Sequence, residues 1–136
     1  MRLALAGLVL VATVLGGCAS APEAPQRSEA DQQQLVRSLQ GRTAGASVRC
    51  LPRYGTTDVQ VIDDWTILFR QGGIIYVQTP RGGCPGIGSG RNTMVARIWG
   101  NGQVCEGDIQ HLVDLSTGIG GGACVFGPFV PYRKAS

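Results

Sequence analysis

The chain has 136 residues, a formal net charge of +3 and only 15% charged residues. That length supports one small core rather than two, and its basic residues, scattered apart from Arg133-Lys134, lack the stripe that a nucleic-acid partner requires. Glycine is abundant at 21 residues and aromatic residues make up 6%, which favours strands joined by tight turns over a helical bundle.

At the N-terminus, Arg2 precedes an apolar run over residues 3–15. The run is too short for a permanent bilayer span and is expected to be an export signal. It closes on Leu15-Gly16-Gly17-Cys18, which resembles the cleavage box of bacterial lipoproteins. The resemblance implies removal of residues 1–17 and acylation of Cys18 through a diacylglyceryl thioether and an amide-linked chain. A single acyl chain binds marginally at about 0.8 kcal/mol per buried methylene, whereas two or three make release negligible. Cys18 would therefore be a permanent tether and the membrane its first partner. Inner-membrane lipoproteins carry an aspartate after the lipidated cysteine; Ala19 and Ser20 here imply the periplasmic face of the outer membrane.

Residues 19–27 are small and polar, with Pro22 and Pro25, and should form an extended spacer reaching about 28 Å. Ser28 offers an N-cap with Asp31 three positions on. Leu35, Val36 and Leu39 mark one stripe, and Gly41 suits the stop, so a short amphipathic helix is expected over residues 29–40. Residues 41–46 look like a hinge. The chain thus divides into a signal (1–17), a segment of lipidated cysteine, linker and helix (18–46), and a disulfide-linked β domain (47–136).

From Ser47 the hydrophobic period becomes that of strands. Residues 48–51 form a first candidate, stopped by Pro52. Residues 59–62 and 65–70 form a longer one interrupted by Asp63-Asp64, with Trp65, Ile67 and Phe69 on one face. Gln71-Gly72-Gly73 is a turn that returns into residues 74–79, the clearest hairpin in the chain. Residues 81–92 should be an irregular glycine-rich loop pinned at Cys84. Further strands are expected over 93–99, 103–105 and 109–115, where Ile109, His111 and Val113 alternate with Gln110, Leu112 and Asp114. Asn101-Gly102 supplies one turn, Gly107-Asp108 a break, and residues 118–122 a glycine-rich loop before a last short strand at 124–126. About six short strands of this kind predict a mainly β fold, a small antiparallel barrel or curved sheet whose closure protects its edges. Phe126, Phe129 and Tyr132 in the proline-rich tail would seal that barrel or form a contact patch.

Besides Cys18 the chain has Cys50, Cys84, Cys105 and Cys124, an even number behind an export signal, which points to two disulfides. A metal site is the competing reading, but no Cys-x-x-Cys pair occurs and the single histidine has no near second ligand. Of the three connectivities, Cys84–Cys105 with Cys50–Cys124 is favoured, because it nests a central hairpin inside a clasp between the first and last strands.

Several segments together resemble a family of small exported bacterial proteins known only as a domain of unknown function. They are Cys50-Leu51-Pro52, the hairpin of residues 62–76, Gly83-Cys84-Pro85-Gly86, Cys105-Glu106-Gly107-Asp108, and Cys124-Val125-Phe126-Gly127-Pro128-Phe129-Val130-Pro131-Tyr132. The resemblance implies a disulfide-linked β domain behind an export signal and brings no assigned activity.

Candidate chemistry is thin. Gly86-Ile87-Gly88-Ser89-Gly90-Arg91 has phosphate-loop glycines but lacks the following helix and Lys-Ser/Thr support, so no nucleotide cofactor is expected. His111 could act as a general base oriented by Asp108, although strand alternation turns it away from Asp114 and a partly buried, hydrogen-bonded histidine is the plainer role. Asp63-Asp64, or Glu106 with Asp108, could supply the paired carboxylates of glycoside cleavage, but adjacent strand residues face apart and acids beside glycine usually serve turns. The expectation is therefore a non-enzymatic envelope lipoprotein without cofactor or metal. It would serve binding or structural support, with an envelope protein or the cell wall as partner. The alternatives are a small inhibitor or glycan-binding module working through loop 81–92 and, behind it, a hydrolase using His111.

Overall fold

The computed structural model describes residues 26–53, 57–95 and 102–136. Among them lie one helix and eight strands: α1 (Glu29–Leu39), β1 (Arg42–Ala44), β2 (Thr57–Asp63), β3 (Thr66–Gln71), β4 (Ile74–Gln78), β5 (Asn92–Val95), β6 (Ile109–Asp114), β7 (Gly120–Val125) and β8 (Phe129–Lys134). The strands form two antiparallel sheets, one ordered β1-β8-β4-β3-β2 and the other β5-β6-β7. The fold is mainly β, as expected, but it is two open sheets rather than a closed barrel, and it has more strands than the six anticipated.

The pleat of β3 and β4 decides the layering. Ile67 and Phe69, with Tyr76 opposite Phe69 and Phe129 opposite Gln78, point to one side of the larger sheet. There they form the main core with Leu112, Cys124 and Phe126 of the smaller sheet and its following turn, and with Cys84 and Ile87 of the connecting loop. Phe69, Phe126 and Phe129 meet edge to face in all three pairs, with centroids 5.7, 5.7 and 5.8 Å apart. Each such pair adds about 0.5–1.5 kcal/mol beyond its area burial. Phe126 and Phe129 therefore fill the main core instead of sealing a barrel end, while Tyr132 packs at a second cluster on the other side of the sheet.

Leu68 and Ile75, one residue out of phase, face the other side with Ile62. Leu35 and Leu39 of α1 cover this second cluster alongside Val77 and Tyr132. The helix begins where the sequence places it: Ser28 adopts extended backbone angles and its hydroxyl accepts from the Asp31 N–H at 3.1 Å. Gly41, with φ +69°, turns the chain out of it. Val36, grouped with the stripe from sequence, is instead 57% exposed, because a helix this short buries only the i, i+4 pair against one sheet. Arg70 fastens helix to sheet by donating to Gln60 Oε1 at 2.6 Å and Ser38 Oγ at 3.3 Å.

Several local expectations change: residues 103–105 give only the bridge at Cys105, and Gly120 to Gly122, expected in a loop, open β7. Residues 41–46 are no hinge, since Arg42, Thr43 and Ala44 pair with Lys134, Arg133 and Tyr132 as an edge strand. Asp63-Asp64 does not interrupt one long strand; it begins the tight turn of the β2–β3 hairpin, in which Val59 faces Phe69 and Val61 faces Ile67. The stretch around Val48 and Cys50 makes only isolated bridges, to Phe129 and Cys105. The β3–β4 hairpin stands as anticipated, with Gln71 opposite Ile74. Of the strand expected over residues 93–99, residues 96–99 lie outside the described residues, as does Asn101; residues 92–95 are strand.

Both disulfides are present, but their pairing is Cys50–Cys105 and Cys84–Cys124, which corrects the nested Cys84–Cys105 and Cys50–Cys124 arrangement. The backbone dictates this. Leu51 N–H donates to Val104 O at 2.9 Å and Glu106 N–H to Arg49 O at 2.6 Å, so Cys50 and Cys105 oppose each other with Cα atoms 4.0 Å apart. Cys84 is held beside β7 by the Arg81–Val125 bridge and reaches Cys124 in the main core. The two loops, with sequence separations of 55 and 40, overlap instead of nesting. Each closure removes about 4 kcal/mol of unfolded-state entropy.

Candidate functional site

The end of the molecule where α1 begins carries a cleft of about 300 Å³, and Arg27, Asp31, Asp63, Asp64, Trp65 and Ser89 are among the residues lining it. Two consecutive carboxylates build it. Asp63 Oδ1 accepts from the Trp65 N–H at 2.8 Å, which tightens the β2–β3 turn. Its Oδ2 pairs with the Arg27 guanidinium, which also donates to Thr66 Oγ1 and, at 3.2 Å, to Gln32 Oε1. The chain entering the helix is thereby clamped to the sheet.

Asp64 organises the glycine-rich loop. Its Oδ2 accepts from Gly86 N–H at 3.0 Å and its Oδ1 from Gly88 N–H at 2.7 Å, while its backbone carbonyl accepts from Cys84 N–H at 2.6 Å. Gly88 packs tightly here, since an added Cβ would lie 3.0 Å from the Asp63 Cα. Gly83 lies flat on the half-buried Trp65 indole, with its would-be Cβ 3.1 Å from the ring. Ser89 Oγ donates to Gly86 O at 2.7 Å and accepts from Arg91 N–H at 3.3 Å. A second cavity of about 260 Å³, with Val61, Phe69, Ile87, Met94 and Phe126 in its walls, lies between the two sheets and is mainly apolar.

These contacts decide the sequence candidates. The amide donors of Gly86 and Gly88, which a phosphate would require, already face the Asp64 carboxylate, so the loop is an internal anion cradle filled by the protein itself. Asp63 and Asp64 both line the cleft, but each carboxylate is engaged in holding local structure instead of standing free as a hydrolytic pair. Glu106 is held between Arg49 at 3.6 Å and Arg81, and Asp108 Oδ2 accepts from the Cys105 N–H at 2.7 Å. His111, expected to be partly buried, is exposed on β6 between Val95 and Ala123, and among the described residues no hydrogen bond links it to Asp108. Asp114, the other acid near it in sequence, turns into the β6–β7 turn. Its carboxyl is lowered from 3.8 to about 2 by the Ser116 hydroxyl and by the N–H groups of Thr117 and Ser116. Among the described residues no group of three or more His, Cys, Asp or Glu could hold a metal ion. Cys18 lies outside the described residues, and among those described no helix is long and apolar enough to cross a membrane.

Arg27 is the site residue that sequence reasoning missed, because it was counted within the spacer. Its partners Asp63 and Thr66 are far along the chain, and no local pattern announces them. Trp65, expected at the start of a strand, lies in the turn after the two acids. Chemically the cleft offers carboxylate and hydroxyl acceptors and donors around an indole, without a nucleophile set beside a base.

No family model, curated protein or solved structure matches the chain.

Proposed function

We propose that the protein is a non-enzymatic lipoprotein of the bacterial cell envelope, in which acyl chains on Cys18 hold a disulfide-stapled β domain at the periplasmic face of the outer membrane. The observation that carries this reading is the register of Arg2, the apolar run, Leu15-Gly16-Gly17 and Cys18. Four cysteines joined as two disulfides support it, since such bonds persist in oxidising compartments. Two or three acyl chains would make the attachment permanent. Intact-mass measurement of the protein purified from membranes tests the reading, with an acylated N-terminal Cys18 as the expected result. Cys18→Ala should release the protein into the soluble fraction, and its continued tight membrane association would refute lipid anchoring.

A second reading, glycan binding, is favoured by the half-buried Trp65 indole beside Asp63 and Ser89. In it the domain holds cell-wall glycan in the cleft. Replacing Ser89 with tryptophan fills the cleft at the cost of its contacts to Gly86 and Arg91, so glycan capture should fall, with amide exchange at Gly88 showing whether the Asp64 anchor is kept. Equal capture by that variant would move the binding surface elsewhere.

A further inference from the structure

Leu115 and Ile119 are 66% and 69% exposed, the highest values among the exposed large hydrophobic residues described. They flank one tight turn, joining β6 to β7, and that turn is firmly built. Asp114 N–H donates to Ile119 O at 2.9 Å and Gly118 N–H to Asp114 O at 2.8 Å. The Asp114 carboxylate accepts from Ser116 N–H at 2.8 Å and Thr117 N–H at 3.0 Å. The two aliphatic side chains are thus presented outward by an ordered turn. Burying either would stabilise association, and leaving both in water costs solubility.

The position of this turn supplies the second observation. Leu115 N–H donates to Arg91 O at 2.8 Å, and Arg91 N–H donates to Ser89 Oγ at 3.3 Å. Ser89 in turn lines the cleft with Gln26, Arg27 and Ser28, where the chain from Cys18 enters the domain. The exposed aliphatic pair is therefore joined, through Arg91 and Ser89, to the cleft end where Gln26, the first described residue, sits. Only residues 19–25 separate Cys18 from Gln26, a reach of about 25–30 Å. The Arg91 side chain makes no ion pair among the described residues and adds a cation at this end.

We infer that the β6–β7 turn is a membrane-docking tip. Leu115 and Ile119 enter the interfacial layer of the phospholipid bilayer that holds the Cys18 acyl chains, and Arg91 sits at the headgroups. The inference rests on the lipid-anchoring reading above, and it adds an orientation: the domain lies with its cleft end against the membrane instead of swinging freely on its spacer.

The test uses the full-length acylated protein on vesicles of phosphatidylethanolamine with a minority of phosphatidylglycerol, and the Leu115→Ser/Ile119→Ser variant prepared alike. Hydrogen exchange of the amides of residues 115–119 should be about tenfold slower in the wild type on vesicles than in the variant. Equal exchange in the two bound proteins would overturn the docking tip while leaving the anchor intact. Intact mass reads the anchor separately. Should it reveal no acyl group, anchoring fails, and sedimentation of that unacylated protein, checked by mass to lack residues 1–17, with the same vesicles decides the tip alone. Binding that weakens about tenfold per aliphatic residue removed supports the tip, and absent or unchanged binding overturns it. A concentration-dependent dimer in lipid-free buffer that the double variant abolishes would assign the patch to a second copy of the chain and likewise overturn membrane docking.

Discussion

Gln78 and Gly127 hold each other through both ends of one side-chain amide, deep in the core. Gln78 Nε2 donates to Gly127 O at 2.6 Å and Gly127 N–H donates to Gln78 Oε1 at 3.1 Å, with Gln78 fully buried. The pair fixes the chain between β7 and β8, where a Cβ on Gly127 would lie 2.5 Å from Thr79 O. Gln78→Leu strands two buried backbone groups and is expected to cost about 2–4 kcal/mol. Gly127→Ala is expected to cost at least about 2 kcal/mol through the forced shift of β4. Denaturant unfolding with disulfides intact measures both, and a change below about 0.5 kcal/mol in either would show that the contact is dispensable.

Peptide mapping under non-reducing conditions should recover Cys50 linked to Cys105 and Cys84 linked to Cys124. The double substitution Cys84→Ala/Cys124→Ala should lower stability by about 3–5 kcal/mol, since the bond lies within the main core. Nested peptides would contradict the bridge that sets Cys50 against Cys105.

Asp64 should matter to the loop and little to the sheets. Asp64→Ala leaves Gly86 N–H and Gly88 N–H without their acceptor, at an expected cost of about 1–3 kcal/mol. Amide exchange should accelerate at Gly86 and Gly88 while that of Ile67 and Phe69 keeps its rank. Uniform acceleration throughout would make Asp64 a global rather than a local support.

Acid should loosen the β6–β7 turn before the rest. The folded Asp114 carboxyl titrates at about 2, below its ordinary 3.8, because hydrogen bonds from Ser116 and Thr117 favour the charged form. A depressed folded value means that the stabilisation is fully present above about pH 4 and is lost as the pH falls from there toward 2. Amide protection at Ser116 and Thr117 should decline across that window, and Asp114→Asn should flatten the dependence. A midpoint near 3.8 in the wild type would refute it.

Leu39→Ala should cost about 1–2 kcal/mol and Val36→Ala close to nothing, because Leu39 packs against the second cluster whereas Val36 faces solvent. The same unfolding assay separates them, and equal costs would place Val36 under a contact that the fold does not provide.

Local chemistry made some of this fold legible. Ser28 and Gly41 bound α1 through capping and left-handed backbone, and Gln71-Gly72-Gly73 marked the β3–β4 turn, because each effect acts within a few residues. Long-range pairing left no such trace. Asp63-Asp64 looked like a break in a strand, since a turn and an interruption have the same composition. The proline-rich tail reads as a seal or contact patch, yet it supplies β8, which lies between β1 and β4 although Pro131 has no N–H for the ladder. There the Pro131 carbonyl accepts from Gly45 N–H at 2.8 Å. The alternation in β6 was visible, but its inward side was not: Gln110 and Leu112 are buried while Ile109 and His111 are exposed. The candidate cleft was half legible. Loop 81–92 was marked by its glycines, whereas the Arg27–Asp63 clamp depends on contacts that only the finished fold creates.

Because β8 is the last of the described strands and the only described neighbour of β1, the larger sheet cannot be completed until residues 129–134 are available. Until then β1 has no partner among the described strands and β4 keeps one edge open. Completion of the larger sheet therefore waits on pairings between residues far apart in the chain, the kind of contact that makes folding slow.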